Sequence, residues 1–259
     1  MIDLETNNAF MNMAIDEAIL QSRIAGNVPN TIRFYRWNPS AVSIGRFQKI
    51  EKEVYPENCK KIGVDMVRRI SGGGTVYHDS EGELTYSVIA KTEDLDVRNV
   101  ASIYSRVYAA IDEALRLLGI AADYNEGDLK NCPNLTVNKR KISGSSQVNK
   151  GGVVLQHGTL LLNVDLPRMF TLLRVPWANS CMQVVDVAKK KITSLQDELR
   201  HPINIETVKN ALLHGFKTVF NMQVNIEQLT EFELTLAKRL CEEKYSSDKW
   251  NLQGKVASD

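Results

Sequence analysis

Four cysteines among 259 residues, Cys59, Cys132, Cys181 and Cys241, are too few and too scattered for a disulfide framework, and no two of them form a Cys-x-x-Cys pair. Neither a thiolate zinc site nor a dithiol redox motif is therefore written in the chain. With 7 prolines and 15 glycines, and no repeat or low-complexity stretch, the composition is that of a globular protein and not of a collagenous or disordered one. A surplus of one charge is missing too: 32 Lys and Arg face 31 Asp and Glu, leaving +1. No broad basic face exists to hold a polyanion, so no nucleic-acid partner is expected. No apolar run approaches the ~18 residues of a membrane span, and Met1-Ile2-Asp3-Leu4-Glu5 carries acids where a secretory signal carries bases. The expected location is cytoplasmic, with no membrane association.

What the chain has is enough apolar material, 43% of its residues, to bury a sizeable core. Its length suits one large domain or two small ones. Met11, Ala14, Ile15, Ala18 and Ile19 recur at helical spacing after Asn7 or Asn8, with Gly26 following. Ile32, Phe34 and Trp37, then Val42 and Ile44, read as two strands joined at Asn38-Pro39, which predicts a hairpin. Further strands are expected at Val64–Ile70, Leu84–Ile89, Leu135–Val137 and Val153–Leu162. Val100, Ile103, Tyr104, Val107, Ile111, Ala114, Leu115 and Leu118 mark an amphipathic helix that Gly119 stops. Val208, Ala211, Leu212, Gly215 and Val219 trace another helix after Asn204. Thr230-Glu231-Phe232-Glu233 is a capping box that opens a last one. This order predicts an α+β fold with helices packed on mostly antiparallel mixed sheets.

Basic clusters lie at Lys60-Lys61, Arg68-Arg69, Lys139-Arg140-Lys141 and Lys189-Lys190-Lys191. Most such clusters are solvated surface, but two adjoin small residues. In Arg68-Arg69-Ile70-Ser71-Gly72-Gly73-Gly74-Thr75-Val76-Tyr77-His78-Asp79, three glycines allow close backbone approach and several N–H groups aimed at one anion, with an arginine adjacent. The spacing is neither that of a P-loop nor of the dinucleotide fingerprint. In Lys139-Arg140-Lys141-Ile142-Ser143-Gly144-Ser145-Ser146-Gln147, strand alternation would aim Lys139 and Lys141 to one side and Arg140 to the other. A lysine in a pocket would stabilise charge during acyl activation. His157, in the apolar strand Gln156-His157-Gly158-Thr159, is of a kind more often hydrogen-bonded in a core than catalytic. His78, His157, His201 and His214 show neither metal-ligand spacing nor a Ser-His-Asp order.

Taken together, these stretches resemble the lipoate-protein ligase family over almost the whole chain. The likeness runs in order through Asn12-Met13-Ala14-Ile15-Asp16-Glu17-Ala18, Phe34-Tyr35-Arg36-Trp37, Val42-Ser43-Ile44-Gly45-Arg46-Phe47-Gln48, the Arg68 to Asp79 stretch, Lys141-Ile142-Ser143-Gly144-Ser145, His157-Gly158-Thr159-Leu160-Leu161 and Ile192-Thr193-Ser194-Leu195. The resemblance implies the biotin and lipoate ligase catalytic-domain fold, which is class II synthetase-like, as a single catalytic domain over residues 1–259. It also implies a two-step reaction. Lipoate, ATP and Mg2+ would give lipoyl-AMP, and a lysine of an acceptor would then take the lipoyl group. The acceptors would be the E2 lipoyl domains of 2-oxoacid dehydrogenases and the glycine-cleavage H protein. By matching motif, Arg69 would hold the adenylate phosphate, and Gly74, Thr75, Val76 and Tyr77 would line the nucleotide. Ser71, Gly72, Gly73, His78, Gly144 and His157 would complete the lipoyl-AMP site, with Lys141 contacting the lipoyl carbonyl and phosphate in both steps.

Two departures keep alternatives open. Single-chain ligases of the family carry a C-terminal accessory domain that this sequence lacks after Lys244–Leu252, so the ligase reading expects a separate small subunit, as in two-protein archaeal ligases. The related octanoyltransferases use no ATP and take an acyl group from a carrier thioester onto a cysteine in the loop before the Lys-x-x-Gly motif. Cys132 falls in that region and is the alternative nucleophile, although its spacing to Lys141 is short for that loop. A third possibility is a non-catalytic acyl-binding subunit on the same fold. The magnesium ligands are not identified, with Asp79, Glu83 and Asp128 as candidates.

Overall fold

The computed structural model describes residues 1–97, 99–128, 132–178 and 180–255. Its elements run β1 Ile2–Asn7, α1 Ala9–Ile24, β2 Thr31–Trp37, β3 Ala41–Ile44, α2 Ile50–Glu53, α3 Pro56–Lys61, β4 Asp65–Arg68, β5 Val76–His78, β6 Glu83–Lys91 and α4 Val100–Leu117. They continue with β7 Asp123–Asn125, β8 Asn134–Val137, β9 Arg140–Lys150, β10 Val153–Leu161, α5 Leu166–Leu172, α6 Cys181–Ala188, α7 Leu195–Leu199, α8 Ile205–Phe220, α9 Glu231–Leu240 and α10 Asp248–Gln253. The four long helices start at side chains that satisfy otherwise orphaned N–H groups. Asn8 caps α1 and Asn204 caps α8, while Asn99 with Ser102 and Thr230 with Glu233 form reciprocal capping boxes on α4 and α9.

Seven strands form one sheet in the order β1-β2-β6-β10-β9-β8-β7, and three form a second in the order β4-β3-β5. Among the described strands, β1 pairs with β2 and β3 with β4 in parallel, and the other strand pairs are antiparallel. The expected α+β architecture is thus present, but the expected hairpin over 31–44 is not. β2 pairs with β1 and β6, whereas β3 belongs to the small sheet, where β4 and β5 flank it. The Asn38-Pro39-Ser40 turn therefore hands the chain from one sheet to the other, and short strands of this kind take whichever partner buries their apolar side chains. A second correction concerns Lys139. Asn138 and Lys139 both have positive φ (50° and 65°) and make the tight turn between β8 and β9. Strand alternation starts only at Arg140, which turns outward to an ion pair with Glu198 at 2.7 Å.

One face of the large sheet is covered by α4 and α8. Tyr104, Val107, Tyr108 and Ile111 of α4 and Val208, Leu212 and Phe216 of α8 pack on Phe34, Leu84, Tyr86 and Leu160. The opposite face is covered by α1 and α9, through Ile15, Ile19, Leu236 and Ala237 against Ile89, Val153 and Leu155. The small sheet builds its own core from Val42, Ile44 and Tyr77 with residues of α2, α3, α5 and α6. No described helix is long and apolar enough to cross a membrane.

The C-terminal segment is tied back by buried charge. Lys244 and Tyr245 both donate to Glu17 of α1 at 2.6 Å. The buried Arg68 guanidinium donates to the carbonyls of Gly45, Arg46 and Gln48 on one side and of Trp250, Asn251 and Leu252 on the other. This brings α10 against the segment that follows β3.

The α4–α8 contact depends on Gly215, where a Cβ would run into the carbonyl oxygen of Ala110. Overpacking at such a close approach costs roughly 1–3 kcal/mol. Gly215→Ala is therefore expected to lower the unfolding free energy by that amount, read in urea titrations as a lower midpoint with the unfolding slope unchanged.

Candidate active site

The two sheets meet around a cavity of about 550 Å³. β2, β6 and β10 contribute Tyr35, Trp37, Thr85, His157, Gly158 and Thr159; β9 contributes Lys141 and Gly144 to Ser146. From the other side come Ser43, Val76 and His78 of the small sheet and Arg69 and Gly73 to Thr75 of the loop between β4 and β5. Asp128 and Cys132, and Asn134 at the start of β8, complete the described lining.

Of the residues singled out from the sequence, Arg69, Gly73, Gly74, Thr75, Val76, His78, Cys132, Lys141, Gly144 and His157 all line this cavity. Three sit behind it. Ser71 is fully buried beneath the loop, Gly72 turns its carbonyl to Arg69, and the Tyr77 ring packs in the small-sheet core with its hydroxyl donating to Asp79.

Lys141 is held through its backbone. Its N–H donates to Lys191 and its carbonyl accepts from Thr193, so the Ile192-Thr193-Ser194-Leu195 motif serves to clamp this strand position. The lysine side chain lies across Gly144, where a Cβ would come within 2.5 Å of both Cε and Nζ, and any larger residue there would expel it. Its exposed area opens into the cavity. Desolvation by the surrounding walls pulls its ammonium below the ordinary lysine value, and the charge of a Cys132 thiolate pulls the other way.

Cys132 is exposed and stands opposite the glycine loop, its Sγ 3.6 Å from where a Cβ on Gly73 would lie. Gly73 has φ of 84°, a conformation that favours glycine. The neighbourhood of the cysteine is anchored by a chain of side chains. The Tyr108 hydroxyl donates to the Pro133 carbonyl, Ser145 donates to Tyr108, and Gln156 donates to Ser145.

Arg69 behaves differently from an anion-binding arginine. Nη1 donates to the carbonyl and hydroxyl of Ser43, at 3.0 and 2.7 Å, and Nη2 to the carbonyls of Gly72 and Gly74, at 2.9 and 2.8 Å. Nε points at the Ser71 hydroxyl at 3.4 Å. All five donors of the fork are spent on the chain itself. Burial lowers its pKa to about 10, so the guanidinium stays charged at neutral pH.

Both serines continue into histidine and carboxylate. Ser43 Oγ lies 2.7 Å from His78 Nε2, whose Nδ1 is 2.6 Å from Glu83. Ser71 Oγ lies 2.6 Å from His157 Nε2, whose Nδ1 is 3.0 Å from Asp16. Arg69 only donates, so the Ser43 oxygen accepts from it while the same hydroxyl pairs with His78. Desolvation lowers the His157 pKa, more than its bond to Asp16 and the Asp16 charge raise it, and Asp16 is held below its ordinary value by His157 and Arg33 against the burial cost. Sequence spacing hid these arrays, since Asp16 and His157 are 141 positions apart. The available signal was a carboxylate set within the apolar stripe of α1, between Ile15 and Ala18, a position that demands a buried partner.

Two magnesium candidates are already engaged. Asp79 accepts from the N–H groups of Glu81 and Gly82, and Glu83 from His78 and Thr85. Asp128 lines the cavity, but among the described residues no group of three or more His, Cys, Asp or Glu side chains is arranged to hold a metal ion.

Residues 8–217 match the family of the lipoyl protein ligase A/B catalytic domain. The chain belongs to this family. Among solved structures it is similar to the bipartite lipoate protein ligase of Thermoplasma acidophilum, described with its E2 lipoyl domain, at 30% identity and TM-score 0.85 over 98% of this chain and 96% of that one. It is equally close in fold to a lipoate-protein ligase A bound with ATP, at 29% identity and TM-score 0.85 over 98% of both chains. Curated relatives correct the expected activity. The chain is 36% identical over 97% of both sequences to octanoyltransferase LipM of Anoxybacillus flavithermus, and 34% identical over 96% of both to that of Bacillus subtilis. The expectation of an ATP-dependent ligase forming lipoyl-AMP is overturned by these relatives, which share the ligase scaffold but are named for acyl transfer.

Buried His157 gives the molecule a pH signature. Because folding holds His157 below the ordinary imidazole value of 6.5, the unfolded chain takes up the proton first as pH falls through that value. Stability is therefore fully present above pH 6.5 and is lost below it, by up to about 1.4 kcal/mol per pH unit until the folded imidazole also protonates. Calorimetric melting between neutral and mildly acid pH should show this slope, and His157→Gln should flatten it.

Proposed function

We propose that this protein is an octanoyltransferase that moves an octanoyl group from a carrier-protein thioester to an acceptor-protein lysine, with Cys132 as the acyl nucleophile and no nucleotide. The observation that carries the reading is the exposed Cys132 sulfur set beside Lys141 and across from the glycine loop in one cavity.

In the first half-reaction the Cys132 thiolate attacks the thioester carbonyl. A new S–C bond forms, the old one breaks, and the carrier thiolate leaves and takes up a proton. In the second, the ε-amine of the acceptor lysine attacks the Cys132 thioester, the amide forms, and the cysteine is regenerated as its leaving group. Thioester to amide runs downhill, so ATP and Mg2+ are not required. Lys141, with its pKa lowered, holds a larger neutral fraction at physiological pH than a surface lysine. It can take the thiol proton on the way in and return it to the departing thiolate. The acceptors fitting this chemistry are the lipoyl domains and glycine-cleavage H protein already implied by the family, in the cytoplasm. The separate small subunit belongs to the ligase reading, and the transfer does not call for it. Residues 1–259 would act as one catalytic domain.

The test is intact-mass spectrometry of the purified chain mixed with octanoyl-acyl carrier protein, before and after addition of a lipoyl domain. An octanoyl adduct at Cys132 that chases onto the acceptor lysine is expected, and Cys132→Ala should abolish both. Lys141→Ala should lower turnover about 10²-fold or more, the size of one such proton-transfer or electrostatic contact. Transfer by Cys132→Ala at the wild-type rate would sink the reading.

A further inference from the structure

The glycine loop has two faces, and Arg69 decides which way each points. Nη2 draws the carbonyls of Gly72 and Gly74 toward the guanidinium. Neither the Gly72–Gly73 nor the Gly74–Thr75 peptide is cis, and in a trans peptide the C=O and N–H point in opposite directions. The N–H groups of Gly73 and Thr75 therefore point away from Arg69. Among the described residues, neither donates to any protein acceptor. Gly73 is exposed and Thr75 half-buried, and both line the cavity, so their N–H groups are open to a molecule bound there. Here they belong to the loop that Cys132 faces, with its sulfur against Gly73.

We propose that the N–H groups of Gly73 and Thr75 form the oxyanion hole for the acyl carbonyl attacked by Cys132, and that Arg69 is the positioning residue that presents them. The proposal rests on the transferase reading given above. Attack converts the thioester carbonyl into a tetrahedral centre whose oxygen carries the negative charge, and the two N–H groups bind that oxygen. When the tetrahedral centre collapses and the thiolate leaves, the carbonyl is restored, so the donors neither gain nor lose a proton. The two serine–histidine–carboxylate arrays act through Arg69. Ser43 with His78 and Glu83 fixes Nη1, and Ser71 with His157 and Asp16 fixes Nε, so the guanidinium has one orientation in which to turn the loop carbonyls inward. Both serines are fully buried, which suits positioning rather than attack on a substrate. Preorganised donors of this kind act because they need no reorientation as charge develops.

Single-turnover acylation of Cys132 by octanoyl-acyl carrier protein, followed by intact mass, tests both parts. Exchanging the Gly74–Thr75 amide for an ester deletes one N–H and adds no bulk. The expected result is acylation slowed about 10²-fold or more, with the half-saturating carrier concentration and the iodoacetamide alkylation rate of Cys132 both within about twofold of wild type. Alkylation of a thiolate by iodoacetamide builds no oxyanion, so it reports only that the cysteine and its surroundings are intact. Ser43→Ala and Ser71→Ala should show the same pattern, a lower rate at unchanged carrier affinity and alkylation. An ester variant that acylates at the wild-type rate overturns the oxyanion hole while leaving the transferase intact. Serine variants whose acylation and alkylation fall together overturn the positioning role. A wild-type chain that forms no Cys132 adduct overturns the transferase reading and this proposal with it.

Discussion

The site is organised around one buried cation whose charge is spent entirely inside the protein. A guanidinium removed from water needs every N–H satisfied, because an orphaned donor there costs more than the bond it would have made. Arg69 meets this requirement with two hydroxyls and three carbonyls drawn from β3 and the glycine loop. Those contacts in turn fix the small sheet against the large one, through His78 on one side and His157 on the other. The cavity exists because these elements cannot slide independently.

Two buried carboxylates make that arrangement electrically tolerable. Asp16 accepts from Arg33, Tyr35, Ser87 and His157, and Glu83 from His78 and Thr85, the latter itself bonded to the Trp37 indole N–H. A network like this is stable only when nearly complete, since in a low-dielectric interior an unpaired member is costly. That explains why α1, in packing terms an ordinary core helix, carries Asn12, Asp16 and Glu17 on its buried side. They are the anchoring points for β2, β10 and the C-terminal segment.

The relation to lipoate ligases follows from the same geometry. A glycine loop facing a cavity lysine suits any reaction in which charge builds on an activated acyl group, whether the leaving group is a nucleotide or a thiol. The scaffold alone does not choose between them. What bears on the choice in this chain is a sulfur held at the mouth of the loop by the Tyr108–Pro133 and Gln156–Ser145 bonds, together with an arginine that has no donor left for a phosphate.

Local sequence determined the helices. Capping side chains and apolar periodicity are short-range signals, so α1, α4, α8 and α9 could be placed from neighbouring residues alone. The glycine loop and Lys141 with Gly144 were also legible, because unusual residue types cluster there, whereas Cys132 stood out only through the resemblance to octanoyltransferases, and a buried packing role expected of a free cysteine gives way to an exposed sulfur. The strand partners were not. β2 and β3 adjoin in sequence but join different sheets, since β pairing is settled by distant segments and by what each face must bury. The side-chain direction of Lys139 was lost to a left-handed turn that alternation does not register. Above all, the roles of Arg69, Asp16 and the two histidines came from tertiary structure. A buried charge takes its function from the partners that satisfy it, and in this fold those partners lie up to 141 residues away, beyond the reach of any local pattern.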